Sequence, residues 1–270
     1  MHIPRIAPIS LLALAIMLPS ARAQQNQISV KLVQTAKLIT RPHPGVNADI
    51  LGIHIGMTVS QAEAIAAKSY PGKPKETEHP PETAVYRGIY ANSQPFVGSV
   101  VFGDPNTDSL TLYFSSPATG NAVYAMFRYV YFHNPLSAPL LSTVRASLIK
   151  KYGPSSYSSD GGHGYIWQFG KQSLEPCAPN ASGVTHPCDV DSLQDGDPSE
   201  AGEAFQRSGV AMGISAQIIT SADNTKAGGL ILTVQDYQDQ NNSINVTKKQ
   251  LNDAAIKYYN KVAKAPGVKL

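Results

Sequence analysis

The strongest strand pattern in the chain is Ala-Val-Tyr-Ala-Met-Phe-Arg-Tyr-Val-Tyr-Phe-His, residues 122–133. It carries aromatic and β-favouring side chains on both faces of an extended chain, which is typical of a strand inside a sheet. Just before it, Ser109 to Ser115 alternates apolar and polar side chains with the period of two that a half-buried strand shows. The turn between them is short, so we expect antiparallel neighbours with 122–133 in the centre of the sheet.

Working outward, the same patterns predict five more strands, at Ile28 to Val33, Phe96 to Phe102, Tyr165 to Gly170, Val210 to Thr220 and Gly229 to Tyr237. Three helices are predicted, from Thr58 to about Tyr70, from Pro139 to Tyr152 and from Val246 to Ala263. The first begins with a capping box, Thr58 and Gln61, and the second ends at Gly153. This order predicts an α+β fold: a mostly antiparallel sheet with two to three helices packed on one face, and the other face open to solvent or to a partner.

The amino terminus has the three parts of a signal peptide. Residues 1–23 comprise a short basic start, an apolar run from Ile9 to Leu18, and the small-x-small site Ala21-Arg22-Ala23. The apolar run is only about half of the ~20 residues that a membrane-spanning helix needs. We therefore expect cleavage after Ala23 and a periplasmic or secreted protein. Residues 24–46 form a flexible lead-in, and 47–270 form a single α+β domain.

The two cysteines, Cys177 and Cys188, lie in a long insertion at about 172–206. An even pair in an exported chain favours a disulfide over a redox or metal site, since the spacing is wrong for a CxxC pair. A bridge that closes so short a loop stabilises the fold by roughly 2–3 kcal/mol in the chain-entropy model.

Net charge argues against a nucleic-acid partner. The whole chain has 22 Lys and Arg against 19 Asp and Glu, and the signal peptide holds two of the arginines and no acid. The mature chain therefore has 20 basic against 19 acidic residues, about +1, whereas nucleic-acid binders show a strong basic footprint. No later stretch is long and apolar enough to predict a transmembrane segment.

Two stretches carry a family resemblance. Gly52-Ile-His-Ile-Gly-Met-Thr-Val-Ser-Gln61 resembles a recurring opening of the SmpA/OmlA (BamE) group and of the β-lactamase-inhibitor-like domains. Lys150-Lys-Tyr-Gly-Pro154, followed by the strand of Trp167, resembles a second recurring feature of such proteins. The chain departs from the lipoprotein group in its greater length and in lacking a lipid-anchor cysteine. The resemblance implies a non-catalytic envelope protein that works by binding other proteins.

Catalytic and metal-binding patterns are incomplete. Ser147-Leu-Ile-Lys150 matches SxxK, but no usable SDN or KTG companion follows, so no catalytic residue is predicted. The acidic run from Asp189 to Glu203 does not fit the EF-hand, and a solvated loop is favoured over a calcium site. The mature chain's six histidines form no HxH or HExxH pair, so neither a metal nor a cofactor is predicted. Glycine-rich Asp160-Gly-Gly-His163-Gly predicts a hairpin turn.

The feature that we favour for function is aromatic. Phe127, Tyr129 and Tyr131 point to one side of the central strand, and Tyr113 joins them from its neighbour. The side chains that point to the other side are Tyr124, Met126, Val130 and Phe132. Tyrosines on a rigid sheet bring large contact area at low entropy cost, so we predict that these four residues bind a protein partner. The alternative is that a third helix or the insertion covers them.

These observations predict an exported, non-catalytic protein-binding or scaffold module whose partner is another envelope protein. An exported hydrolase or metal-dependent enzyme with a dispersed site is the alternative from another class. A weak membrane-surface or cell-wall contact through Lys248–Lys269, with six lysines against one acid, is a third reading.

The export prediction has a direct test. We expect the protein purified from its producing cell to begin at Gln24, because Ala21 and Ala23 provide the cleavage site. Intact mass and amino-terminal sequencing measure this, and Ala23→Arg should retain the precursor. A product that keeps Met1 would contradict the prediction.

Overall fold

A computed structural model of the chain describes residues 26–38, 48–134, 136–159, 161–169, 211–221 and 224–264. The predicted signal peptide, residues 24–25 and 39–46 of the lead-in, and the insertion with Cys177 and Cys188 lie outside these residues. Their predictions therefore stay predictions.

The strands are β1 (Gln27–Val30), β2 (Asp49–Ile50), β3 (Ile53–His54), β4 (Lys75–His79), β5 (Thr83–Tyr86), β6 (Ile89–Ser93), β7 (Phe96–Asp104), β8 (Asp108–Phe114), β9 (Val123–Tyr131), β10 (Tyr157–Ser158), β11 (Gly164–Phe169), β12 (Met212–Thr220) and β13 (Ala227–Asp236). The helices are α1 (Val59–Ala66), α2 (Leu141–Tyr152) and α3 (Tyr237–Ala263), with a 3-10 turn at Pro117–Thr119.

Eight strands form the main sheet, in the order β10-β11-β12-β13-β9-β8-β7-β4. Every neighbouring pair in it is antiparallel. The α+β prediction with a mostly antiparallel sheet is therefore confirmed, and β9 lies inside the sheet as its sequence indicated. A second sheet has the order β1-β6-β5, with β1 parallel to β6, and β2 and β3 form a separate hairpin.

One row of side chains crosses six strands of the main sheet in register. Its members are Val100, Leu112, Met126, Val234, Ile214 and Trp167. Each is 0% exposed. Apolar residues of α1, α2 and the β2–β3 hairpin complete this core, among them Ala62, Leu148 and Ile53. The first two helices thus cover one face of the sheet.

The Lys-Tyr-Gly-Pro motif and the tryptophan strand meet in this core. The Trp167 indole N–H donates to the Gly153 carbonyl at 3.0 Å, and the Trp167 and Tyr152 ring centroids lie 5.2 Å apart. The Tyr152 hydroxyl donates to the Asp49 carbonyl at 3.1 Å, which ties the end of α2 to β2. One buried and one partly buried hydrogen bond therefore connect β2, the end of α2 and β11.

The sequence predicted the start of α1 correctly but not the start of α3. At α1 the capping box is present, since the Gln61 side chain accepts from the Thr58 N–H at 3.0 Å and Thr58 Oγ1 accepts from the Gln61 N–H at 3.4 Å. In contrast, α3 begins at Tyr237, nine residues before the predicted Val246. Residues 237–245 are mostly polar, so they show no apolar period, although several of them are buried.

The stretch from Lys73 to Glu82 is rich in proline and charge and was not among the predicted strands, but β4 occupies part of it. Every residue of β4 is exposed and three of its five are charged, Lys75, Glu76 and Glu78, so no alternation marks it as a strand. Charged side chains suit the edge of a sheet, where they discourage pairing with another chain. The later half of α3 packs Leu251 and Ala255 against the small sheet. Among the described residues, no helix has the length and apolar character to cross a membrane.

Gly103, the residue before the last of β7, is under two constraints. Its φ is +78°, and a Cβ added there would overlap the Asp108 carbonyl oxygen and lie 2.8 Å from the Tyr70 ring. Gly88 has a similar φ of +80°, but a Cβ would meet nothing within 4 Å. A comparison of substitutions at the two glycines therefore distinguishes the cost of backbone strain from the cost of steric overlap.

We expect Gly103→Ala to lower the free energy of unfolding by on the order of 2–4 kcal/mol. Gly88→Ala should cost only about 1–2 kcal/mol, the cost of the left-handed backbone alone. Urea denaturation followed by circular dichroism measures both. Equal losses would show that the close approach at Gly103 contributes nothing.

Candidate functional site

The face of the main sheet away from α1 and α2 carries the predicted aromatic residues. On β9, Met126 points into the core, so Phe127, Tyr129 and Tyr131 lie on the opposite face by alternation. In β8, Thr111 is paired with Phe127 and Ser109 with Tyr129, which places both hydroxyls beside the rings. We call this surface the tyrosine face.

A concavity of about 490 Å³ lies on the tyrosine face. Its lining residues are Val101, Pro105, Asn106, Ser109, Thr111, Phe127, Tyr129 and Tyr131. Strands β7, β8 and β9 form its floor, and the turn between β7 and β8 forms one wall. Volumes of this size are usual for ligand-binding clefts, which combine apolar surface with a few polar groups.

The wall is held by hydrogen bonds around the turn. Asp104 Oδ1 accepts from the Asn106 backbone N–H at 2.9 Å and from its side-chain amide at 3.1 Å. The Tyr131 N–H donates to the Thr107 carbonyl at 2.6 Å, which fixes the turn to the end of β9. Pro105 and Asn106 are therefore presented in one position relative to the Tyr131 ring.

Solvent exposure of the side chains on the tyrosine face increases from Ser109 to Tyr131. Ser109 is buried, Phe127 and Tyr129 are half-buried, and Tyr131 is 42% exposed. The His133 ring lies edge-on to Tyr131 with ring centroids 4.6 Å apart, so it extends the aromatic surface beyond the strand. None of the eight lining residues is charged at neutral pH, so contacts there depend on rings, hydroxyls and one amide.

The structure brings together three of the four predicted binding residues. Tyr113 lies outside the concavity, paired with Ala125 where the β8–β9 register shifts, and its ring centroid is 6.5 Å from that of Tyr124. The sequence did not indicate the wall residues Pro105 and Asn106 as part of the site. They lie in a turn, and nothing in their local pattern shows that the turn folds beside Tyr131.

The opposite face of β9 carries an ion-pair network below this floor. Arg128 donates to Asp108 at 2.7 Å and 3.1 Å, and the Tyr70 hydroxyl donates to Asp108 at 2.6 Å. Burial raises the pKa of Asp108, but hydrogen bonds from Arg128 and Tyr70 outweigh it, and the pKa lies below its usual range. Burial and the bond to Asp108 raise the pKa of Tyr70 to about 12. The network fixes the chain after α1 onto the sheet.

A second polar cluster, which the sequence did not indicate, lies at the start of α3. Its buried members are Gln168, Gln235, Asp236, Asp239, Gln240 and Asn241. Asp236 caps the helix by accepting from the Asp239 N–H at 2.8 Å, and the Gln235 amide donates to Gln240 at 3.0 Å. Burial raises the pKa of Asp236 well above its ordinary range, and the Asp239 carboxylate raises it further. Gly213 of β12 alternates with the core residue Ile214, and a Cβ added at Gly213 would lie 3.2 Å from the Tyr237 side chain, so this cluster borders the same face.

The SxxK pattern and the described histidines do not come together in a catalytic or metal-binding arrangement in the described part of the chain. The Ser147 hydroxyl donates to the Thr143 carbonyl at 2.8 Å, within its own helix, rather than pairing with Lys150. The described histidines, His54, His79, His133 and His163, belong to no group of three metal-ligating side chains in the described part of the chain. His43, His186 and the acidic run from Asp189 to Glu203 lie outside it.

Two further patterns can be placed. The predicted hairpin turn is confirmed, because Ser159 and Gly164 close it by a backbone hydrogen bond of 2.9 Å between β10 and β11. Within Lys248–Lys269, the described lysines are exposed on α3, and Lys249 pairs with Asp253 at 2.7 Å. Lys269 lies outside the described residues.

No protein-family model, no curated protein and no solved structure matches this chain.

Asp236 gives the cluster a measurable pH dependence. An unfolded aspartate ionises near pH ~3.9, but the folded carboxyl stays protonated to higher pH, so its contribution to stability is lost as the pH rises. Asp236→Asn stays neutral and can still accept the capping hydrogen bond. Relative to wild type, the variant should therefore gain unfolding free energy between about pH 4 and pH 8.

Chemical denaturation across this pH range measures the difference. Asp253→Asn is the control, because Asp253 is exposed on the same helix. A difference between Asp236→Asn and wild type that stays constant with pH would contradict the raised pKa.

Proposed function

We propose that this chain is an exported, non-catalytic binding module that holds another envelope protein on its tyrosine face. The observation that carries the proposal is the concavity of about 490 Å³ whose floor includes Phe127, Tyr129 and Tyr131. The export signal, residues 1–23, and the resemblance to binding proteins of the cell envelope support the compartment and the class of partner.

The physical basis is preorganisation. Two tyrosine rings and one phenylalanine ring are fixed on a sheet strand that is paired on both sides, so little rotamer entropy is lost when a partner binds. Tyr131 is 42% exposed and can contribute a large contact area. Ser109, Thr111 and the tyrosine hydroxyls provide hydrogen bonds that orient a partner segment.

The uncharged lining sets the character of the interaction. Affinity that depends on rings and hydroxyls should change little with ionic strength, whereas a charged interface weakens as salt screens it. A contact through the lysines of α3 would show the opposite behaviour. Salt dependence therefore separates the favoured surface from the membrane-surface or cell-wall reading.

The alternative from another class is an exported hydrolase. The observation that favours it is the pair Asp236 and Asp239, a buried carboxyl with a raised pKa beside a second one, which are properties of an acid–base group. Asp236 also caps α3, and this structural role accounts for its position. The binding module therefore remains the preferred function.

A photo-crosslinking amino acid placed at position 131 in the producing cell tests the proposal. We expect one discrete protein adduct, identified by mass spectrometry, and its loss when Thr111→Arg fills the concavity. The matched control is position 90, because Tyr90 lies on the small sheet and its exposed fraction, 45%, is similar to the 42% of Tyr131. Tyr113→Ala, outside the concavity, should retain the adduct.

Two outcomes would refute the tyrosine face as the binding surface. One is the absence of any adduct at position 131, and the other is the same adduct at positions 131 and 90. Circular dichroism of Thr111→Arg must match wild type, so that a lost adduct reports on the surface and not on the fold.

A further inference from the structure

The hairpin that joins β5 to β6 on the small sheet has an unusual turn. Its two-residue turn is Arg87-Gly88, with φ values of +47° and +80°. Such turns require positive φ at both positions, and asparagine, aspartate or glycine usually fills the first. An arginine there costs about 1–2 kcal/mol of backbone strain. Strain of this kind is a reason to look for a function of the side chain.

The Arg87 side chain is held in place by two aromatic rings. Its guanidinium carbon lies 5.6 Å from the Tyr86 ring centroid and 5.1 Å from that of Tyr259 on α3. The two rings stand at 83° to each other with centroids 5.7 Å apart, so they form a corner. One Nη donates to the Tyr259 hydroxyl at 3.2 Å. The guanidinium is thereby oriented without a carboxylate.

Arg87 forms no ion pair with a described residue. The ion pairs among the described residues join Arg128 to Asp108, Lys151 to Asp49 and Lys249 to Asp253, and none includes Arg87. The residue is exposed. A guanidinium has five N–H donors, and the Tyr259 hydroxyl takes one of them. The others can form the paired hydrogen bonds with which arginine binds carboxylate and phosphate.

We infer that Arg87 is the anchor of an oxyanion-binding site that takes a carboxylate or a phosphate group of a ligand. Tyr86 and Tyr259 position the guanidinium by cation–π contact, which lowers the entropy cost of binding. The site lies on the small sheet and α3, so it is independent of the concavity on the main sheet. A purely structural clasp between the hairpin and α3 is the competing explanation.

Nuclear magnetic resonance titration of the Arg87 side-chain N–H with sodium phosphate, and separately with sodium acetate, tests the inference. Ionic strength is held constant with sodium chloride. We expect a saturable shift with at least one of the two anions. Saturation by acetate alone assigns a carboxylate ligand, and saturation by phosphate alone assigns a phosphate. Shifts that are linear in both anions would overturn the site.

Three variants separate recognition from structure. Arg87→Lys keeps the charge but loses the paired donors, and Tyr259→Leu keeps bulk but loses the ring, so each should weaken binding at least ten-fold. For these variants, shifts of the amides of residues 86–89 report binding. Lys73→Ala removes an exposed cation elsewhere and should leave affinity unchanged.

Affinity within two-fold of wild type for both Arg87→Lys and Tyr259→Leu would overturn the inference and leave only the clasp. Tyr259→Phe, which removes one hydroxyl, provides the readout if Tyr259→Leu does not fold. None of these results depends on the tyrosine face, whose failure would appear in the crosslinking experiment.

Discussion

The row of buried side chains from Val100 to Trp167 fixes the register of six strands of the main sheet. Six residues on six strands lie in register, and each is completely buried against α1, α2 and the β2–β3 hairpin. A slip of one residue in β9 would expose Met126 and bury Phe127 in its place. The direction of every ring on the tyrosine face therefore follows from the burial of this row.

The sequence predicted the parts of the fold in which burial and local pattern agree. Alternation along β9 assigned Met126 and Phe127 to opposite faces, and the capping residues Thr58 and Gln61 located α1. The sequence did not predict β4, because an exposed edge strand with a charged sequence has no apolar period. It also missed the first turns of α3, where buried polar residues such as Asp239 replace the apolar stripe that marks most helices.

Some residues of the candidate site could likewise be predicted from the sequence, and others could not. Phe127, Tyr129 and Tyr131 were predictable, since they share one strand and one face. Asn106 and Pro105 could not be found from the sequence, because their proximity to Tyr131 depends on the turn after Gly103 and on its hydrogen bond to β9. Arg87 was likewise hidden, since its partner Tyr259 lies far along the chain on α3. The sequence pattern therefore identifies the site residues that share one strand, whereas site residues from other elements are identified only by the tertiary contacts.

Polar floor residues explain how the tyrosine face can remain open. Had Ser109 and Thr111 been valine or leucine, β8 and β9 would present a continuous apolar surface, which favours association between copies. Hydroxyls beside the rings interrupt that surface, while Tyr129 and Tyr131 still line the concavity. Apolar contact with a partner is then favourable only where its shape also satisfies these hydroxyls, because a buried hydroxyl without a hydrogen bond costs about 1–3 kcal/mol. The same hydroxyls that interrupt the apolar surface would therefore make the face selective.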